Sequence, residues 1–153
     1  MRFLAIAFFF LINLPAYCSG FSFVENQGQW DSSIKFKSDI PGGFLLVKDN
    51  SIEYIFYSTE ALANLHAAKS NGENLIPTTR IVLNFLESNV ENSVEKSGQY
   101  GHTSNYFIGK DPAFWKTNVP AYSELTIKNL YNFIDFRIYT ITGQLKYEYI
   151  VHP

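Results

Sequence analysis

A single cysteine, Cys18, occurs in the 153 residues, and it sits so close to the N-terminus that everything after it lacks a thiol. A disulfide framework is therefore excluded for residues 19–153, as is a zinc site built from paired cysteines. Histidine is almost as scarce: His66, His102 and His152 are the three, Ser70 occupies the position four after His66, and no HExxH occurs. Charge is sparse too. Charged residues make up 17% of the chain, the formal net charge is -2 and the lysines and arginines are scattered, which gives no electrostatic case for DNA, RNA or an anionic membrane as partner. The glycines at 42, 43, 98, 101, 109 and 143 form neither GxGxxG nor a Walker loop, and no GxSxG marks a serine nucleophile. No cofactor or metal is expected. N-x-Ser/Thr acceptors are missing as well, which fits a bacterial exported protein only weakly.

One long apolar run exists, Phe3 to Ile12, with Arg2 before it and Pro15, Ala16, Cys18, Ser19 and Gly20 after it. That is the layout of a secretory signal peptide over residues 1–20. Asn13 and Pro15 cut the run short of the roughly 20 apolar residues a membrane span needs, so no transmembrane anchor is expected once the leader is gone. Cleavage after Cys18 and cleavage after Gly20 both suit the small-residue rule. A lipid-anchored cysteine normally follows a small residue, whereas Tyr17 precedes Cys18. Removal with the leader is the simpler fate, leaving residues 21–153 as one exported domain whose stability comes from packing.

What the chain has in quantity is aromatic side chains, 17% of the residues, with 14 Phe and 10 Tyr. They fall at a spacing of two. In Tyr131 to Val151, Ile134, Phe136, Ile138 and Thr140 share one side of an extended chain and Asp135, Arg137 and Tyr139 the other. After Thr142 and Gly143 the alternation resumes with Leu145, Tyr147, Tyr149 and Val151 against Lys146, Glu148 and Ile150. This predicts a β-hairpin with one buried face. A turn centred there sets residue 135 opposite about 150.

Further strands are expected at Phe21 to Val24, at Ile34 to Ser38, and in a hairpin pairing Phe44–Val47 with Ser51–Tyr57 across Asp49 and Asn50. Thr79 to Leu86 and Tyr122 to Lys128 complete the set, while polar Glu87 to Gly101 reads as a surface loop or exposed ribbon. Thr59 to Lys69 is the one helix expected, with Thr59 as cap and Leu62, Leu65 and Ala68 as its apolar stripe. The predicted class is mainly β, antiparallel sheets in a sandwich-like or partly open barrel arrangement, with at most one short helix.

No catalytic set emerges. Asp135 and Glu148 lie on the two arms of the last hairpin, but Arg137 and Lys146 interleave with them, so cross-strand pairing on a wet face accounts for all four. Asp39 and Asp111 stand beside turn residues and read as structural. Candidate ligand-stacking residues are Trp30, Trp115, Tyr106 and Tyr122. For Trp30 the plainer role is to cover the edge of the core with its indole nitrogen hydrogen-bonded.

FVENQGQWD at 23–31, PGG at 41–43, NYFIGKDPAFWKTNVPAY at 105–122 and NLYNFIDFRIYTITGQLKYEYIV at 129–151 resemble the N-terminal domain of large exported Bacteroidetes proteins. In those proteins the domain precedes SBBP-type β-propeller repeats or other β-sandwich modules and a C-terminal signal for type IX secretion or a gliding-motility-associated end domain. The resemblance covers nearly all of residues 21–153. It implies a secreted or cell-surface β module without catalytic residues to carry over. Its shared positions, among them Asn26, Gly28, Gln29, Trp30, Asn105, Asp111, Leu130 and Asp135, resemble a folding template and equally suit the lining of a groove. Relatives continue beyond the point where this chain stops, so a domain truncated at its C-terminus is the simplest expectation. Without the sorting signal, the periplasm stands beside the cell surface and the extracellular space as the destination. The function expected is a noncatalytic module for surface adhesion, assembly or presentation of neighbouring domains, with a surface protein or polysaccharide as partner. A carbohydrate-binding module is the alternative, and a secreted hydrolase comes third.

Overall fold

A computed structural model of the chain describes residues 21–58, 60, 62–63, 76–89 and 93–153. The expected leader at 1–20 lies outside these residues, and so does the helix expected at 59–69 apart from Glu60, Leu62 and Ala63, which are helical.

The alternating segments become nine strands: β1 (Phe23–Glu25), β2 (Ile34–Ile40), β3 (Gly43–Lys48), β4 (Ser51–Tyr57), β5 (Thr78–Asn84), β6 (Ser93–Tyr106), β7 (Lys116–Tyr131), β8 (Ile134–Ile141) and β9 (Gln144–Val151). They form one antiparallel sheet in the order β5-β4-β3-β2-β1-β7-β8-β9, with β6 also on β7, curled into an open half-barrel. The mainly β class is thus as expected, built as a single sheet. The polar stretch is the exposed ribbon of the two forms expected: Ser93–Tyr106 is a 14-residue strand. The strand expected at 122–128 runs further both ways, to 16 residues.

β7 is the spine. Along one edge it meets β6, from Ser93↔Lys128 to Tyr106↔Lys116. Its other edge is shared: Val24↔Ala121 and Phe23↔Tyr122 join it to β1, and Glu124↔Tyr139 through Tyr131↔Ile134 join it to β8. The sheet therefore forks, with β1–β5 as one wing and β8–β9 as the other. Both wings turn their apolar faces inward. Phe23, Phe36, Leu45, Val47 and Ile52 come from the first wing, Phe136 and Ile138 from the second, and Tyr122, Leu125 and Ile127 from the spine. Phe85, just after β5, sets its ring 5.0 Å from that of Phe136. Tyr122 and Leu125 both enter this core although three positions apart, and Val119 and Ala121 are buried as well, so near the fork β7 is covered on both faces.

The turns are as short as the sequence suggests. Ile141↔Gln144 is the last pair of the final hairpin, with Thr142 at φ 48° and Gly143 at φ 74° between, the doubly left-handed turn that matches strand twist. Pro41 and Gly42 join β2 to β3, and Gly43 then lies against β4 so closely that a Cβ would sit 1.9 Å from the Ile55 carbonyl oxygen. Gly43→Ala should push the two strands apart and cost about 1–3 kcal/mol, read as a lower urea midpoint with an unchanged slope.

On the outer side of the first wing, buried Glu53 accepts from Arg80 at 2.6 and 3.0 Å and lies 3.0 Å from Lys48. The hydrogen bond from Arg80, with help from Lys48, holds its carboxyl below the usual range against the opposing effect of burial.

Candidate functional site

The loop after β1 is fixed by two amide side chains. Asn26 Nδ2 donates to the carbonyls of Asp31 and Ile34, both at 2.8 Å, while its Oδ1 accepts from the backbone N–H of Gly28 at 3.0 Å and of Trp30 at 3.2 Å. Gln29 Nε2 donates to the Glu25 carbonyl and its Oε1 accepts from Gln27 N–H, both at 2.7 Å. Every polar atom of these two amides is therefore engaged in shaping the loop that presents Trp30. Asn26→Ala would orphan several backbone groups at once. It should cost about 2 kcal/mol and free the indole, seen as a lower melting temperature and a red shift of tryptophan emission.

Trp30, so held, meets Tyr106 at the end of β6 edge-on, ring centroids 5.2 Å apart. Lys37 Nζ lies 5.6 Å from the Trp30 ring centre and 4.7 Å from that of Phe44, within reach of both π faces. The Tyr106 hydroxyl is pushed up by burial and by the Asp39 carboxylate. Beside this niche a shallow cavity of about 380 Å³ opens between Phe21, Asp39, Pro41, Tyr100 and His102. The Tyr100 and His102 rings lie 5.5 Å apart on its wall. Aromatic faces rimmed by an amine, a carboxylate and an imidazole can stack on a flat ligand face and hydrogen-bond its edge.

The four expected stacking residues are thus divided. Trp30 and Tyr106 come together. Trp115 is elsewhere, at the tip between β6 and β7, edge-on to Phe107 at 5.5 Å, with Nε1 donating to the Gly109 carbonyl at 3.4 Å. Asp111 caps the 3-10 turn Pro112–Phe114 there by accepting from Ala113 N–H at 2.9 Å. Phe107, Ile108, Phe114 and Trp115 are all exposed at this tip. Tyr122 is buried in the core with Lys96 over its ring at 5.5 Å, and it offers no open face.

A second polar cluster was masked in the sequence by its alternation. Asp135 was expected on a wet face beside Arg137, and Arg137 does pair there with Glu124 and, at 3.0 Å, with Glu148. Asp135 itself, opposite Ile150 as the turn position implied, is 1% exposed. It accepts from Lys128, from Asn129 N–H at 2.8 Å and lies 2.9 Å from His152 Nε2. Asn129 has φ 51° and marks a break in the β7–β8 register, so the carboxylate satisfies the amide that the bulge frees. Burial pushes this carboxyl up, but Lys128, the Asn129 amide and His152 together outweigh it and hold the pKa at about 2. The group is therefore charged near neutrality and braces the bulge as a structural node.

Among the described residues no group of three His, Cys, Asp or Glu side chains is placed to hold a metal ion, and no helix is long and apolar enough to cross a membrane.

The forked antiparallel sheet, the amide-braced aromatic loop and the buried aspartate define a β domain whose polar motif residues mostly brace its own backbone. The chain belongs to the family described as Domain of unknown function (DUF7948), whose profile matches residues 23–153. No curated protein and no solved structure matches it.

Proposed function

We propose that the protein is a noncatalytic exported module for surface adhesion, assembly or presentation of neighbouring domains, in keeping with the resemblance of its motifs to the N-terminal domains of secreted or cell-surface Bacteroidetes proteins. The observation that carries this is the β6–β7 tip, where four large apolar side chains, Phe107, Ile108, Phe114 and Trp115, face solvent within nine positions. Such a concentration on one hairpin marks an interaction surface. The motif carboxylates support the same reading: Asp111 caps a turn and Asp135 braces a bulge.

A second reading has its own observation. Trp30 and Tyr106, with Lys37 and Asp39 beside them and a cavity of about 380 Å³ adjoining, are a ring pair bordered by polar groups, as a carbohydrate-binding module requires. Binding of the labelled full chain to intact bacterial cells separates the two. Protein-mediated assembly predicts that protease treatment of the cells removes binding and that Phe114→Ala with Trp115→Ala weakens it about tenfold at unchanged stability. Carbohydrate binding predicts instead that stripping the polysaccharide removes it and that Tyr106→Ala weakens it. Binding that survives both treatments counts against both.

A further inference from the structure

β9 ends the sheet, and among the described residues nothing pairs with its outer edge. Natural edge strands are shortened, bulged or interrupted by proline to prevent pairing with another chain. β9 is neither short nor bulged and holds no proline; the one such defence it carries is charge, Lys146 and Glu148. Its eight residues, QLKYEYIV, pair with β8 in one unbroken register from Ile141↔Gln144 to Ile134↔Val151. On its inward face Tyr147, Tyr149 and Val151 remain 59%, 49% and 71% exposed, although Tyr147 and Tyr149 rest partly on Phe136 at 5.9 and 5.2 Å.

The direction of the free backbone groups follows from one hydrogen bond. His152 N–H donates to the Phe133 carbonyl at 2.8 Å, so 133 and 152 are a hydrogen-bonded pair in the same register as the hairpin. By alternation, 135/150, 137/148, 139/146 and 141/144 are hydrogen-bonded pairs as well. The N–H and C=O groups of Leu145, Tyr147, Tyr149 and Val151 therefore point outward. A strand added antiparallel must oppose its own outward-pointing residues to these.

We infer that the partner is a second copy of this chain, joined β9 to β9 in an antiparallel pair centred on Tyr147. Charge selects both partner and register. Centring on Tyr147 sets Lys146 opposite the partner's Glu148, and by two-fold symmetry Glu148 opposite the partner's Lys146. Centring one step either way puts Lys146 opposite Lys146 or Glu148 opposite Glu148, and like charges directly opposite are destabilising. In the chosen register the Lys–Glu pairs fall at non-hydrogen-bonded positions, where side chains approach most closely. Leu145 then covers the partner's Tyr149 on the inward face. Lys146 has no ion-pair partner within its own chain among the described residues, whereas Glu148 is held toward β8 by Arg137. The dimer would extend this Glu124–Arg137–Glu148 row by one cation across the interface. This interface goes beyond the assembly reading, since it stands on β9 alone and needs nothing from the β6–β7 tip.

Disulfide trapping tests partner and register together, with the purified full chain on a Cys18→Ser background. Opposed non-hydrogen-bonded positions have Cα atoms about 4.5 Å apart, inside the range a disulfide bridges. Under mild oxidation Lys146→Cys mixed with Glu148→Cys should give a covalent dimer, and neither variant alone should. Sedimentation equilibrium of the unmodified chain should show a dimer at micromolar concentration, weakened at least tenfold by Lys146→Glu. A monomer at about 100 µM, or cross-linking of either single-cysteine variant with itself in place of the mixture, overturns the inference. Because only purified chain is present, this result is separate from the outcome on cells.

Discussion

Asp135→Asn should destabilise the protein by about 2 kcal/mol at pH 7, the worth of the carboxylate's charge in the folded protein, even though the replacement has nearly the same shape. The amide keeps an acceptor for Asn129 N–H but leaves Lys128 without its counter-charge. The acid limb of the stability curve should change as well. The folded-state pKa of about 2 lies below the 3.8 of an ordinary aspartate, so the carboxylate's stabilisation is complete above about pH 4 and is lost as pH falls through about 2. That difference is worth about 2 kcal/mol. Urea midpoints at pH 7, 4 and 2.5 should fall steeply for the unmodified chain and less steeply for the variant, in which Glu53 retains a share of the acid sensitivity. Equal slopes for both proteins would show that Asp135 is not the node described.

The second large effect belongs to Phe136. Its side chain is fully buried where the two wings meet, against Phe85 from one and Tyr147 and Tyr149 from the other. Phe136→Ala should cost about 3–5 kcal/mol, combining lost transfer energy with the cavity left behind. Phe133, three residues earlier, is the control. It is 69% exposed with φ 64°, and a bulky residue pays for that left-handed conformation. Phe133→Gly should be neutral or raise the melting temperature. Thermal unfolding of the two variants would separate a core ring from an exposed one in the same hairpin.

Much of this was legible from alternation. The final hairpin, its turn at Thr142 and Gly143 and the opposition of 135 to 150 follow from counting by twos, because each strand there has one apolar side. The same rule fails at β7. Near the fork Ala121 and Tyr122 are buried side by side, as are Leu125, Thr126 and Ile127, because two wings share one edge there, and no local period encodes that. Ser93–Tyr106 was hard to place for the opposite reason: it lies along the edge of β7 with most side chains in water, so its strand state rests on backbone pairing. Asp135 departs from the wet-face expectation although its neighbours Arg137 and Glu148 do form that ladder. Only the bulge at Asn129, which brings a free amide and Lys128 to the carboxylate, separates it from them. For the candidate cleft, Trp30 was visible as an aromatic beside amides. That Asn26 and Gln29 bend the loop around it, and that Tyr106 arrives from a strand 76 positions away in sequence, was not.

The fork also has a mechanical meaning. Among the described residues, the strand pairing that joins the five-strand wing to the spine runs through β1, whose ladder with β7 consists of Phe23↔Tyr122 and Val24↔Ala121 and whose ladder with β2 is equally short. Tension applied between Phe23 and Val151 passes in series through this seam and through the longer β7–β8 and β8–β9 ladders, and the seam is the shortest of the three. The seam is the natural breaking point of the domain: it should yield while the wings keep their own pairing, giving extension in two steps with the β2–β5 block intact in the intermediate.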